Sequence, residues 1–182
     1  VRITGGTLGG RLISVTRGAD DIRPSMDRMR ESVFASLGDL TGLSFLDIFS
    51  GSGIIALEAA SRGASLIEAV EQDAQKRKTL LENVSISPVR INCRFMPAEL
   101  YIKRAKNPFD IIFFDPPFPY QHKWELVEKT ASSALASSGT RILIHRPRQD
   151  YLKTNISNLE KFDSREYGRS IVDFFIMNAD IK

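Results

Sequence analysis

From Met26 onward the apolar positions change period several times. Met26, Met29, Val33, Phe34 and Leu37 fall at helical spacing and define one buried stripe. Asp27, Arg28, Arg30 and Glu31 read as lying off that stripe, with Ser25 as its N-cap and Gly38 as its stop. The mainly apolar stretch over 43–49 then predicts a core strand, and a helix follows over 54–62, closed by Gly63. The alternation repeats: strand 65–70, amphipathic helix 73–84, strand 91–95 and a short helix after Pro97.

Ile111-Ile112-Phe113-Phe114 is a run of β-branched and aromatic residues suited to a strand covered on both faces. A helix over 122–136, ended by Gly139, leads to a strand over 140–145. Two last runs, 159–167 and 170–177, meet at Gly168 and predict an antiparallel pair at one sheet edge. Strands alternating with helices through residue 145 imply an α/β fold with a mainly parallel, doubly wound sheet. Upstream, 2–6 and 11–16 are strand-like runs separated by Gly5-Gly6-Thr7-Leu8-Gly9-Gly10, which predicts an appended β-hairpin.

At 182 residues the chain suffices for one domain with a full core. No apolar run reaches the roughly 20 residues of a membrane span, and the N-terminus lacks the apolar core of a signal peptide. The chain opens on Val1, so its native start is expected upstream. Cys93 is the single cysteine, and with His122 and His145 it offers neither a disulfide nor an ordinary zinc site. A cytoplasmic, metal-free protein is expected. The net charge of +3 is concentrated: residues 1–30 hold six Arg against three Asp, and the 19 basic and 19 acidic side chains elsewhere cancel. Arg2, Arg11, Arg17, Arg23, Arg28 and Arg30 are suited to forked phosphate contacts, which points to an anion-facing arm with RNA or DNA as partner.

Two motifs carry the chemistry. Asp47-Ile48-Phe49-Ser50-Gly51-Ser52-Gly53 ends a strand, and Gly51, Gly53 and Ala56 give the G-x-G-x-x-A turn of nucleotide sites. Glu71, at the end of the next strand, is placed to accept from both hydroxyls of a ribose. The second motif is Asp115-Pro116-Pro117-Phe118. The prolines end pairing because neither has an N–H, which leaves a carboxylate and a carbonyl at the carboxyl edge of the sheet. Two converging acceptors suit an exocyclic amine, and Phe118 offers a face for a planar base. The glycine turn alone fits a nicotinamide oxidoreductase or an S-adenosylmethionine-dependent methyltransferase. The second uses Asp115 directly; the first lacks an evident hydride partner.

These residues resemble a known family. Asp-Pro-Pro-Phe is similar to the motif of methyltransferases that act on amino nitrogens of nucleobases. Residues 23–31, 46–53 and 57–64, then Glu71, Asn83, the Asp115 motif and Tyr167-Gly168, resemble in order and spacing the bacterial 16S rRNA guanine-N2 methyltransferases (RsmD-like). Ser25 stands where that family has Thr, and Met96-Pro97-Ala98 where related enzymes carry a carboxylate for the adenine amine.

The resemblance implies a Rossmann-like class I methyltransferase domain over 25–182, with an RNA-contacting arm over 1–24. It implies S-adenosyl-L-methionine held by Asp47, Phe49, Ser50, Gly51, Ser52, Gly53, Glu71, Gln72 and the backbone of Ala98. Asp115, Pro116, Pro117 and Phe118 would act on the base, and Arg2, Arg11, Arg23, Arg28, Arg30 and Tyr120 would contact RNA. The implied partner is 16S rRNA, in the small ribosomal subunit or an assembly intermediate. The choice of guanine N2 over adenine N6 comes from the resemblance; the residues themselves specify an exocyclic amine. A protein glutamine target is disfavoured by Asp115, since that motif begins with Asn. Intact Gly51, Gly53, Glu71 and Asp115 likewise disfavour an inactive RNA-binding module. Cys93 reads as a core residue, and His145 as the end of a core strand rather than part of the chemistry.

Overall fold

A computed structural model describes residues 1–16, 24–151, 156 and 158–179, the side chains of Pro24 and Ser25 excepted. Among them a seven-stranded sheet forms in the order β3-β2-β1-β4-β5-β7-β6. The strands are β1 (Ser44–Ile48), β2 (Leu66–Val70), β3 (Ile91–Arg94), β4 (Ile111–Phe114), β5 (Arg141–Pro147), β6 (Leu159–Tyr167) and β7 (Ser170–Met177). The first five are parallel, whereas β7 runs antiparallel to both β5 and β6. The helices are α1 (Pro24–Leu37), α2 (Ile54–Ser61), α3 (Arg77–Val84), α4 (Ala98–Arg104) and α5 (Lys123–Ala131). No helix of the described residues is long and apolar enough to cross a membrane.

The central strands alternate between two cores. Phe45, Ile111 and Phe113 face one, which holds Val33 and Phe34 of α1 and Leu57 of α2. Leu46, Ile112 and Phe114 face the other, with Ile102 of α4 and Leu126 and Val127 of α5. Burial on both faces explains why these strands read as continuous apolar runs. Strand order reverses between β1 and β4, so the carboxyl ends of these neighbours flank the crevice where such sheets bind ligands. The glycine turn follows β1 and Asp115 follows β4. The fold thus brings the two sequence motifs together.

Several boundaries differ from expectation. Helix α1 starts at Pro24, so Ser25 lies inside its first turn rather than capping it; proline suits a first helical position because its missing N–H has no intrahelical partner there. The helix expected over 122–136 stops at Ala131. Beyond it the Ser133 hydroxyl donates to Thr130 O (2.8 Å) and accepts from Leu135 N–H (3.1 Å), taking over backbone partners a helix would use. The segment over 73–84 opens with a 3₁₀ turn, Ala74–Lys76, whose start is capped by Asp73 accepting from Gln75 N–H at 2.9 Å.

The N-terminal residues make one antiparallel bridge, Arg2 to Leu12, instead of two regular strands. Their bend is tied to α2: Leu8 N–H donates to Ser61 Oγ at 2.8 Å. Ile3, Leu8 and Ile13 are buried in the first core. Glu58 of α2, fully buried, accepts from Thr4 N–H (2.8 Å), Thr4 Oγ1 (3.0 Å), Arg30 Nε (3.2 Å) and Arg62. Asn83 of α3 accepts from Ser14 N–H (3.1 Å) and donates to Ser14 O and to Ser52 O (both 2.8 Å). One amide therefore joins the N-terminal segment to the glycine turn.

Candidate functional site

The turn after β1 is built almost wholly from backbone donors and carboxylates. Ser50 N–H donates to Val70 O (2.9 Å), and Gly53 N–H returns to Ser50 O (2.8 Å). Asp47, fully buried, accepts from Ser50 Oγ (2.7 Å) and from Ala56 N–H (3.2 Å) in the first turn of α2. Glu71 accepts from Gly51 N–H through one oxygen and Asp73 N–H through the other, both at 2.8 Å. Each of its oxygens keeps a lone pair beyond the bond it accepts. Phe49 holds φ at 69°, a left-handed conformation costly for an aromatic residue. Its ring rests against Tyr120, 5.3 Å between centroids, and so ties this turn to the loop after β4.

The two glycines have separate tasks. A Cβ on Gly51 would meet nothing within 4 Å, so this side of the turn stands open. A Cβ on Gly53 would lie 2.7 Å from Leu80 Cδ1 and 3.2 Å from Val84 Cγ1, so its absence lets α3 approach. Ser52 is half-buried beside them, Gln72 is exposed, and Ala98 opens α4 with its side chain buried in the second core.

The loop after β4 begins with Asp115 N–H donating to Ile48 O at 3.2 Å, which carries the β1–β4 pairing one step past both strands. Pro116 is buried, Pro117 and Phe118 are exposed, and Tyr120 N–H closes a turn onto Pro117 O at 2.8 Å. The Asp115 side chain is 29% exposed, and Phe118 is 45% exposed. Tyr120 donates its hydroxyl to Glu99, which holds that carboxyl below its ordinary range, while burial and Glu99 push the tyrosine's own ionisation up.

Two supports of this loop come from residues without a predicted role. His145 is buried inside β5, two residues before the strand's end rather than at it, and its Nδ1 lies 2.8 Å from Asp115 Oδ1. Its ring also meets Phe118 edge-on at 5.5 Å. Lys123, buried at the start of α5, donates Nζ to Phe118 O (2.9 Å) and Tyr120 O (2.6 Å) and pairs with Asp150 at 2.8 Å. Arg146 continues the support by donating to Asp150 O at 3.0 Å while paired with buried Asp173.

Electrostatically the crevice is acidic. The Asp47 carboxyl is pushed up to about 7, chiefly by burial and further by the charges of Asp115 and Glu71, against the lowering effect of Ser50 and Ala56. Carboxylates gathered around a glycine turn suit a ligand that carries positive charge next to a ribose. S-adenosylmethionine, with its sulfonium and ammonium, meets that description, and the open side of Gly51 offers its backbone for close approach.

The arginines separate. Arg2, Arg11 and Arg28 are exposed, and Arg2 lies 3.9 Å from Asp27. Arg30, expected to contact RNA, is instead buried between Asp27 and Glu58 and donates to Arg2 O at 3.1 Å. The helical register held the signal: residue 30 lies four after Met26, three before Val33 and four before Phe34, on the buried stripe rather than off it. Arg23 lies outside the described residues.

The family model described as "Conserved hypothetical protein 95" matches residues 1–176. The chain is 33% identical over 121 residues to "Ribosomal RNA small subunit methyltransferase D" of Escherichia coli strain K12, a match covering 65% of this chain and 60% of that protein's length. It is 26% identical over 174 residues to "Putative rRNA methyltransferase YlbH" of Bacillus subtilis, covering 92% of this chain and 94% of that one. Among solved structures, the putative methyltransferase yhhF from Escherichia coli superposes with a TM-score of 0.88 at 26% identity over 99% of both chains.

Proposed function

The chain belongs to the Conserved hypothetical protein 95 family, and from that premise we propose that it transfers a methyl group from S-adenosylmethionine to the exocyclic N2 of a guanine in 16S rRNA of the small ribosomal subunit. The observation that carries this reading is the adjacency of the glycine turn and the Asp115 motif at the carboxyl ends of neighbouring strands, linked by the Asp115–Ile48 bond at 3.2 Å. The name of the Escherichia coli relative supports an rRNA substrate, and the motif resemblance supports guanine N2.

When bound, S-adenosylmethionine supplies an electrophilic methyl carbon. Gly51, Ser52 and Gly53 would form the turn it lies against, with the open side at Gly51 toward it, Glu71 would take the ribose hydroxyls with its remaining lone pairs, and Asp47 keeps the turn closed from beneath. A duplex or stacked base is out of reach of such a crevice, so the target guanine is turned out before reaction. Its ring stacks on exposed Phe118, while Asp115 and the Pro116 carbonyl accept from the amine. Two such bonds draw the nitrogen lone pair out of conjugation and aim it; catalysis is then chiefly alignment and fixed charge. Asp115 is placed to accept the proton the amine gives up. Arg2, Arg11 and Arg28 contact RNA phosphates from the exposed N-terminal side.

The test is a labelled-methyl transfer assay on small subunits from cells lacking their own enzyme, followed by nucleoside analysis. N2-methylguanosine in 16S RNA is expected. N6-methyladenosine would keep the residue roles and overturn the base. Absence of label, with S-adenosylmethionine bound in calorimetry, would overturn the RNA target.

A further inference from the structure

The parallel register that pairs Phe114 with Ile144 sets the next residues of β4 and β5, Asp115 and His145, side by side. The imidazole is 1% exposed, and Nδ1 lies 2.8 Å from Asp115 Oδ1. Nε2 is buried and has no hydrogen-bond partner among the described residues. A proton on Nε2 would therefore be a buried donor without an acceptor, and adding it to a ring already protonated on Nδ1 would strand a charge there. The surroundings match one form: neutral, with the hydrogen on Nδ1 and directed at the carboxylate.

We propose that His145 is the positioning residue of the methyl-transfer site, donating Nδ1–H to Asp115 Oδ1 so that the carboxylate is fixed in place and turned toward the amine. This rests on the methyl-transfer reading above. The bond occupies one lone pair of Oδ1, and the carboxylate keeps its other acceptor positions, Oδ2 included, for the substrate. The same ring abuts Phe118 at 5.5 Å. One buried imidazole thus fixes the acceptor for the amine relative to the surface on which the base lies. It is not a proton relay, because buried Nε2 has no hydrogen-bond partner among the described residues to pass a proton to; the proton reaching Asp115 leaves by the exposed edge of the carboxylate.

Three variants separate positioning from packing and from relay. Asparagine carries its N–H where Nδ1 lies, glutamine carries its own where Nε2 lies, and leucine carries neither. H145L and H145Q are expected to lower kcat about ten- to hundredfold, the value of one charge-assisted hydrogen bond, with KM for RNA and affinity for S-adenosylmethionine unchanged. H145N should return to within severalfold of wild type. Equal losses in H145N and H145L would overturn the proposal, as would an H145L enzyme within twofold of wild type. Two-bond 1H–15N spectra of histidine-labelled wild type at pH 8, assigned with a His122→Gln variant, provide a readout independent of turnover. Protonated Nδ1 with bare Nε2 is expected; the Nε2–H tautomer would overturn the proposal. A wild type with the expected tautomer that methylates no RNA would support the pairing and overturn the substrate reading instead.

Discussion

The two loops that meet in the crevice are held in opposite ways. The turn after β1 is gathered inward by carboxylates: Asp47 and Glu71 accept from backbone or hydroxyl donors at Ser50, Gly51, Ala56 and Asp73. The loop after β4 is gathered from outside by side-chain nitrogens, with Lys123 Nζ on two of its carbonyls and His145 Nδ1 against its carboxylate. The two carboxylates that gather the first, Asp47 and Glu71, are 24 residues apart, whereas Asp115 and His145 are 30 apart. The first arrangement presents backbone to a ligand and makes negative charge the lining. The second leaves a carboxylate and an aromatic ring partly bare on a braced frame, which is what a reacting substrate requires.

If that division is right, damage to either loop has its own signature. Asp115→Ala should reduce kcat by at least about a hundredfold, on the scale of removing a preorganised electrostatic group, with the calorimetric affinity for S-adenosylmethionine nearly unchanged. A matching loss of cofactor affinity would place Asp115 with the first loop. Lys123→Met removes donors from Phe118 O, Tyr120 O and the Asp150 carboxylate together. It should cost about 1–3 kcal/mol in urea unfolding and lower kcat, again sparing cofactor affinity.

The glycines sharpen the contrast inside the turn. Gly53→Ala adds strain at φ 84° to a clash with Leu80 and should cost about 1–3 kcal/mol of stability. Gly51→Ala, at φ 56° with open space around it, should cost less in unfolding but weaken S-adenosylmethionine binding more. Reversal of that order in paired calorimetry and unfolding would mean that the open side of the turn is not the ligand side.

A last effect, read in stability alone, concerns Asp47. Its carboxyl sits near 7 when folded, above the ordinary 3.8, so the folded chain holds a proton that the unfolded chain releases earlier. That contribution to stability is complete below about pH 4 and is lost as pH rises through about 7. Asp47→Asn should remove this slope, giving urea midpoints at pH 5 and pH 8 that differ less than those of wild type.

Legibility in the sequence followed the same division. The glycine turn and Glu71 were readable because their ligands are local and their spacing is set by one strand, one turn and one helix. Asp115 and Phe118 were readable because two prolines after an apolar run admit few conformations. His145 was not, because it meets Asp115 through strand register, and Lys123 was not, because its contacts with Phe118 O and Tyr120 O, five and three residues back, depend on the path of an irregular loop. Arg30 failed for a different reason. Its charge suggested a surface role, but its register placed it on the buried stripe, where Glu58 and Asp27 neutralise it. The fold itself was plain, down to the bounds of β6 and β7, because alternation of strand and helix survives at the level of apolar runs.

The tie between Asn83 and Ser14 spans 69 residues, and that between Glu58 and Thr4 spans 54. At about 5–20 residues per second of synthesis, Ser14 is therefore joined to the chain roughly 3–14 seconds before Asn83. Over that interval Ile3, Leu8 and Ile13 wait for the strands and helices that complete the core they enter.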